Sequence, residues 1–330
     1  MLATTVAVVR MVHSFACVCK ELGLRMADAN DQGEDGCAKS CGKAFCVPLG
    51  EGNYTHRACG KWVCGPGIGK HVPILTPTLA VAFVVCFFTS PGAWDSSSAE
   101  VQDHFTYVGP GGPWYTPLSC MFLHLDASHV GMNVALMLFG GASVEITEGT
   151  TRVLFVIWGG QTLGIGLHGG LDGRDVVGAS ASCYGLLYAQ VALLLLNWTE
   201  MPARWFRAGM LLALVAAEAL VISLTDTDRS AHLGHLFGAT AGFASAIVLA
   251  INVKRRCWEL CLNFGPGVLL YAGLVVAAFA TGQTAAGSLA AVELPVLLAW
   301  AMNEVRLYRR DAAAEAAALD TKGDGVAQSV

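Results

Sequence analysis

Runs of about twenty predominantly apolar residues recur along this chain, each long enough to cross a hydrocarbon layer about 30 Å thick. The first, residues 72–90, is 19 residues long, about 28 Å as a helix. Others fall at approximately 127–146, 151–168, 178–197, 206–225, 231–252 and 264–282. A shorter one at 286–302 contains Glu293 and Pro295. A chain of 330 residues has room for two soluble domains. With 54% hydrophobic residues, 14% charged residues and a mean hydropathy of +0.53, it reads instead as an all-α polytopic membrane protein.

The loops between these runs set the orientation, because short cytoplasmic loops collect Lys and Arg. With the side before the first run cytoplasmic, that side holds Arg57, Lys61 and Lys70, then Arg152, Arg204 and Arg207, then Lys254, Arg255 and Arg256. The other side holds Arg174 and Arg229, beside Asp172, Asp175, Asp226 and Asp228. An eighth span would put Arg306, Arg309 and Arg310 on the basic side too, which favours eight spans over seven. The organisation expected is a cytoplasmic, Cys-containing region over 1–71, a six-helix core over 72–253, one or two further spans over 254–302, and a cytoplasmic tail over 303–330.

The remaining segments say less. Residues 1–26 are apolar and weakly basic, and read as a targeting segment, a surface helix or an extension. Residues 27–71 are polar and hold Cys37, Cys41, Cys46, Cys59, Cys64 and His56. In a reducing compartment these cysteines stay out of disulfides; zinc and palmitoylation both remain open for them. The sequons at Asn53 and Asn197 fall on the cytoplasmic side and stay unmodified. Residues 91–123 form a long, net-negative, aromatic-rich segment, read as a partly interfacial loop. No basic stripe suggests nucleic acid.

Polar residues inside spans are costly and read as functional, and here they gather at three span beginnings. The second run carries His124, His129 and Asn133, the fourth opens with Val177-Gly178-Ala179-Ser180-Ala181-Ser182-Cys183-Tyr184-Gly185, and the sixth carries His232 and His235. These runs are alternate, so all three start on the outer side. A serine and a histidine on separate helices at one depth make a nucleophile–base pair. Ser180 and His232 are the expected pair, and no carboxylate is placed to orient His232, so the unit is a dyad. His129 and Asn133, four apart on one helix face, supply donors for an oxyanion, joined by the Ser180 backbone N–H. His235 is read as a helix residue with its own partner, or as a group backing the site, rather than the base. The segments His168–Asp175 and Asp226–Ser230 read as loops that admit water.

Five histidines (His124, His129, His168, His232, His235) raise metal chemistry, but the H-E-x-x-H helix of a membrane metalloprotease is absent, and carboxylates read as absent from the core. No cofactor or metal is expected. Gly164, Gly166 and Gly169 spell G-x-G-x-x-G without a preceding strand, so they read as packing glycines.

The sequence resembles the rhomboid family of intramembrane serine proteases over roughly residues 72–253. Its G-x-S-G signature, often extended as GASGAxFG, is matched by Gly178-Ala179-Ser180-Ala181-Ser182-Cys183-Tyr184-Gly185. The H-x4-H-x3-N pattern is matched by His124, His129 and Asn133, and AHxGGxxxG by Ala231 to Gly238. The resemblance implies Ser180 as nucleophile, His232 as base, His129 and Asn133 as oxyanion stabilisers, and His124 as a structural histidine. It implies Tyr184 beside the His232 ring, and Gly234, Gly238 and Gly242 bringing helix six against helix four. Ala181 stands where the family usually has Gly, and the family's Trp-Arg pair in the first loop is not evident. The implied activity is endopeptidase cleavage of transmembrane segments of membrane proteins. The alternatives are an inactive relative that retains membrane clients, which keeping both Ser and His argues against, and a transporter or channel, which would want polar groups through the inner half. The implied location is a secretory-pathway or surface membrane rather than the mitochondrial inner membrane.

Overall fold

The computed structural model describes residues 71–89, 105–201, 204–224, 230–252 and 255–327. The readings made for residues 1–70, for 91–104 and for most of the 226–230 loop lie outside the described residues.

Every apolar run is helical, with bounds close to those expected. In chain order they are α1 (Leu75–Thr89), α2 (Ala127–Glu148), α3 (Thr150–Asp172), α4 (Ser180–Leu196), α5 (Arg204–Leu224), α6 (Ser230–Leu249), α7 (Cys257–Ala280), α8 (Thr284–Ala291) and α9 (Leu294–Ala327). Among the described residues, four stretches are long and apolar enough to cross a membrane by length and composition: Ala127–Glu148, His232–Leu249, Cys257–Ala280 and Thr284–Ala314. α1 and α4 are shorter apolar helices.

Two expectations are corrected here. His168–Asp172 is the last turn of α3 rather than a loop, closed by Gly173 in the left-handed conformation that ends helices well. Carboxylates are not absent from the core, because Glu145 and Glu293 are both buried. Glu145 on α2 accepts the N–H groups of Ile74, Leu75 and Thr76 and the hydroxyls of Thr76 and Thr150, at 2.7–3.0 Å. The first amides of a helix have no partner within it, and one carboxylate here answers three of them for α1. Glu293, in the turn just before α9, accepts the Ser245 and Tyr271 hydroxyls, each at 2.7 Å, and so fastens that turn to α6 and α7.

Glu145→Ala leaves those donors unanswered, the Thr76 N–H and hydroxyl among them buried, and is expected to cost on the order of 3 kcal/mol. A thermal melt in detergent checks it, and a midpoint within a degree of wild type would contradict the capping role.

α3 is the hub, since its small residues let neighbours approach on several faces. Gly160 and Gly164 face α4 and α6, Gly166 faces Ala286 of α8, and Gly169 faces the Tyr107 ring. The packing role expected of Gly164, Gly166 and Gly169 is therefore what the coordinates have. α2 contains a π-helical turn over Met137–Gly141. Its Gly140 carbonyl accepts from Gln190 of α4 at 3.0 Å, the kind of bond such a turn releases.

At the end of the bundle away from Ser180, polar groups tie the helix ends together. Glu148 accepts from the Ile251 N–H at 2.8 Å, and Asn197 donates to the Ile251 carbonyl at 3.0 Å. Arg256 reaches Glu200 at 2.7 Å, and Arg255 reaches Glu304 at 2.8 Å.

Candidate active site

Ser180 is the first residue of α4, and the segment before it is held from three sides. Tyr107 and Val176 exchange both backbone hydrogen bonds, at 3.1 and 2.9 Å. The Gly178 N–H donates to the Cys120 carbonyl at 2.9 Å, and its carbonyl accepts from Gln161 Nε2 of α3 at 3.1 Å. Gly178 has φ of 112°, open to glycine and strained for other residues. A Cβ there would also sit 2.8 Å from the His129 ring.

That contact places the α2 residues. The His129 ring lies against Gly178, and Asn133 Nδ2 comes within 3.8 Å of the same point. Asn133 is 1% exposed and its Nδ2 has no hydrogen-bond partner among the described residues. A buried, unanswered donor beside the serine turn is costly unless something else accepts from it. Asp126 caps α2 by accepting the His129 N–H at 2.8 Å, which with the Ser128 hydroxyl holds its carboxyl below the usual range. His124 packs its ring on Phe83 of α1 at 5.4 Å and on His129 at 5.2 Å. Burial, aided by the neighbouring His129, pushes its pKa down to about 4.

α4 and α6 meet through small residues in matched register. A Cβ on Gly238 would fall 2.3 Å from the Ala181 carbonyl oxygen, and one on Gly242 2.3 Å from the Gly185 Cα. The two contacts share one offset, so the helices run in the same direction. Gly234 faces Gly164 and His168 of α3 instead. Ala181 directs its methyl at Gly164, which has no side chain to oppose it, so the extra carbon is absorbed on the α3 side.

The same register sorts the two histidines. The α6 position level with Ser180 is about Phe237, which leaves His235 about 3 Å above the serine's level and His232 about 7.5 Å above it. Tyr184, one turn after Ser180, lies on the His235 ring with centroids 4.2 Å apart and planes 13° apart. The expectation that Tyr184 packs beside His232 is corrected, because the Gly238–Ala181 contact turns His235 toward α4. His232 lies 6.1 Å from His235, ring to ring, and among the described residues neither of its buried nitrogens has a hydrogen-bond partner.

Two contributors escaped the sequence reading. Gln161 was visible as the single side-chain amide of the third run; a polar group that deep marks itself. His235 was seen but set aside. It shares a helix face with Gly238 and Gly242, three and seven residues on, whereas His232 lies about 120° off Gly238 at 100° per residue.

Comparison with known proteins covers this same region. The family model for the rhomboid domain matches residues 111–252. Rhomboid-related protein 1 of Caenorhabditis elegans is 34% identical over 176 residues, 49% of each chain. RHOMBOID-like protein 7 of Arabidopsis thaliana is 30% identical over 157 residues, 46% of this chain and 48% of its own. Rhomboid-type serine protease 2 of Emericella nidulans is 27% identical over 146 residues, 43% of this chain and 27% of its own. The chain thus spans about half the length of the first two. With the helical fold, the clustered site and these matches together, the chain is a multi-pass helical membrane protein that carries a rhomboid domain over residues 111–252.

Proposed function

We propose that this chain is an intramembrane serine endopeptidase in which Ser180 is the nucleophile and His235 the base. One observation carries the reading: the Tyr184–His235 contact, which sets an imidazole of α6 against the helix that Ser180 begins. The base is thus taken to be His235 in place of the His232 expected from the sequence.

The reaction then runs as acyl transfer. Ser180 Oγ attacks the peptide carbonyl carbon while its proton passes to a ring nitrogen of His235. The carbonyl oxygen, now negative, accepts hydrogen bonds from Asn133 Nδ2, from His129 and from the Ser180 N–H, which lies in the unpaired first turn of α4. The C–N bond breaks as His235 returns the proton to the leaving nitrogen. Water attacks the acyl-enzyme with His235 again taking the proton, and Ser180 is regenerated. Glu145 and Glu293 are fully engaged elsewhere, so the unit works as a dyad.

Substrates are transmembrane segments with small, helix-weakening residues, which suit a site walled by glycine and alanine. The N-terminus is assigned to the cytoplasm and Ser180 to the outer side, because the end that gathers Arg255 and Arg256 with their acidic partners is the one away from the serine.

A fluorophosphonate probe, applied to the full chain in membranes, labels a serine only when its hydroxyl is activated. Wild type is expected to label and Ser180→Ala to lose labelling, with cleavage of a co-expressed single-span substrate below about a thousandth of wild type. An unlabelled wild type would favour a client-binding protein without protease activity.

A further inference from the structure

We propose that the C-terminal hairpin, outside the matched rhomboid domain, positions the loop that carries Ser180, with Gln283 as the positioning residue acting through Tyr107. The inference rests on the serine protease reading above.

α7 and α8 are joined by the turn Thr281–Gln283, in which Gly282 takes φ of 80°. Gln283 is 1% exposed, so its amide is committed to protein partners. Its Oε1 accepts the Tyr107 hydroxyl, and its backbone N–H donates to the Ala278 carbonyl at 2.8 Å. Around this bond the turn is seated on other loop and helix residues. Gly109 faces the Gln283 amide, Gly170 faces Thr281, and Gly282 faces Pro110.

Tyr107 joins two systems. Its hydroxyl belongs to the hairpin, and its ring fills the space that Gly169 leaves open on α3. Its backbone belongs to the serine loop through the paired bonds with Val176, four residues before Ser180. Burial, with Cys120 nearby, pushes the phenol up to about 12, so the hydroxyl stays a donor at any working pH. Two residues beyond Val176, Gly178 is fixed by Cys120 and Gln161. Those two holds come from inside the matched domain, whereas the hold at Val176 is referred to the hairpin. Released from Gln283, the Tyr107 strand shifts and takes Val176 with it, and the Gly178 turn follows. A displacement of about 1 Å at a reacting group can cost about a hundredfold in rate.

The test uses the full chain in detergent micelles, with the fluorophosphonate labelling rate as one readout and amide hydrogen exchange over residues 173–179 as the other. Tyr107→Phe keeps the ring and removes the donor, while Gln283→Leu removes the acceptor. Each is expected to slow labelling about tenfold and to speed exchange in that loop. The double variant is expected to be no slower than the slower single, since both remove one interaction. Gln283→Glu keeps an acceptor for the hydroxyl and is expected to label like wild type, which a merely space-filling role would not produce. Wild-type exchange in either single variant, multiplied slowing in the double, or a Gln283→Glu as slow as Gln283→Leu would each overturn the proposal. If wild type itself fails to label, the protease reading falls, and the exchange measurement alone decides the hairpin's role.

Discussion

His235→Ala is expected to lose both fluorophosphonate labelling and substrate cleavage, to below about a thousandth of wild type, while His232→Ala stays within about tenfold of it. The two residues are one helical turn apart, and the sequence alone favoured His232. Depth and direction separate them. The Gly238–Ala181 and Gly242–Gly185 contacts fix how α6 is rotated against α4, and His235 lies against Tyr184 of α4. His232 lies a turn nearer the start of α6, and among the described residues neither of its buried nitrogens has a hydrogen-bond partner. A base must sit within about 3 Å of the proton it takes, or one water away. Parallel cleavage assays and probe labelling of the two variants decide the matter. A silent His232→Ala beside an active His235→Ala would reverse the assignment.

Gly242→Ala is expected to lower cleavage by about a hundredfold or more and to lower the melting temperature by several degrees. The new methyl would fall 2.3 Å from the Gly185 Cα and 2.5 Å from its carbonyl oxygen. These are backbone atoms of a second helix, so no side chain can rotate away, and α4 and α6 must part by roughly 1 Å to restore ordinary contact. That separation would open the distance between Ser180 and His235, the pair proposed to exchange a proton. Gly273→Ala on α7 is the control, because nothing lies within 4 Å of its added methyl. It is expected to be neutral or stabilising by roughly 0.5–1 kcal/mol, as alanine is the better helix former. Melting curves and cleavage rates on both variants test the pair; wild-type activity in Gly242→Ala would mean that the close approach is not what aligns the dyad.

Much of this architecture was legible because membrane helices announce themselves by length and apolarity. All eight runs became helix, and their polar residues fall near the starts of α2, α4 and α6. The roles proposed for Ser180, His129 and Asn133 could be read because each depends on spacing within one helix or on a turn motif. The choice between His232 and His235 was harder, since it depends on rotation of α6 against a neighbour. The glycine row carried that information, but His232 with its adjoining Ala231 and Gly234 gave the simpler match. The Tyr107–Gln283 bond joins residues 176 positions apart, and no local pattern connects them. Glu145 escaped because a carboxylate near a span's end looks like an interfacial charge, and only the folded bundle brings three α1 amides to it.

That carboxylate has a consequence for how the polypeptide is made. The amides at the start of α1 wait for a residue some 70 positions later in the chain. At about 5–20 residues per second, the ribosome needs roughly 4–14 s to deliver it. During that interval the first helix enters the bilayer with its leading turn answered only by water or headgroups. Its final seat is taken when the end of α2 emerges, so insertion and assembly of this chain are separate events in time.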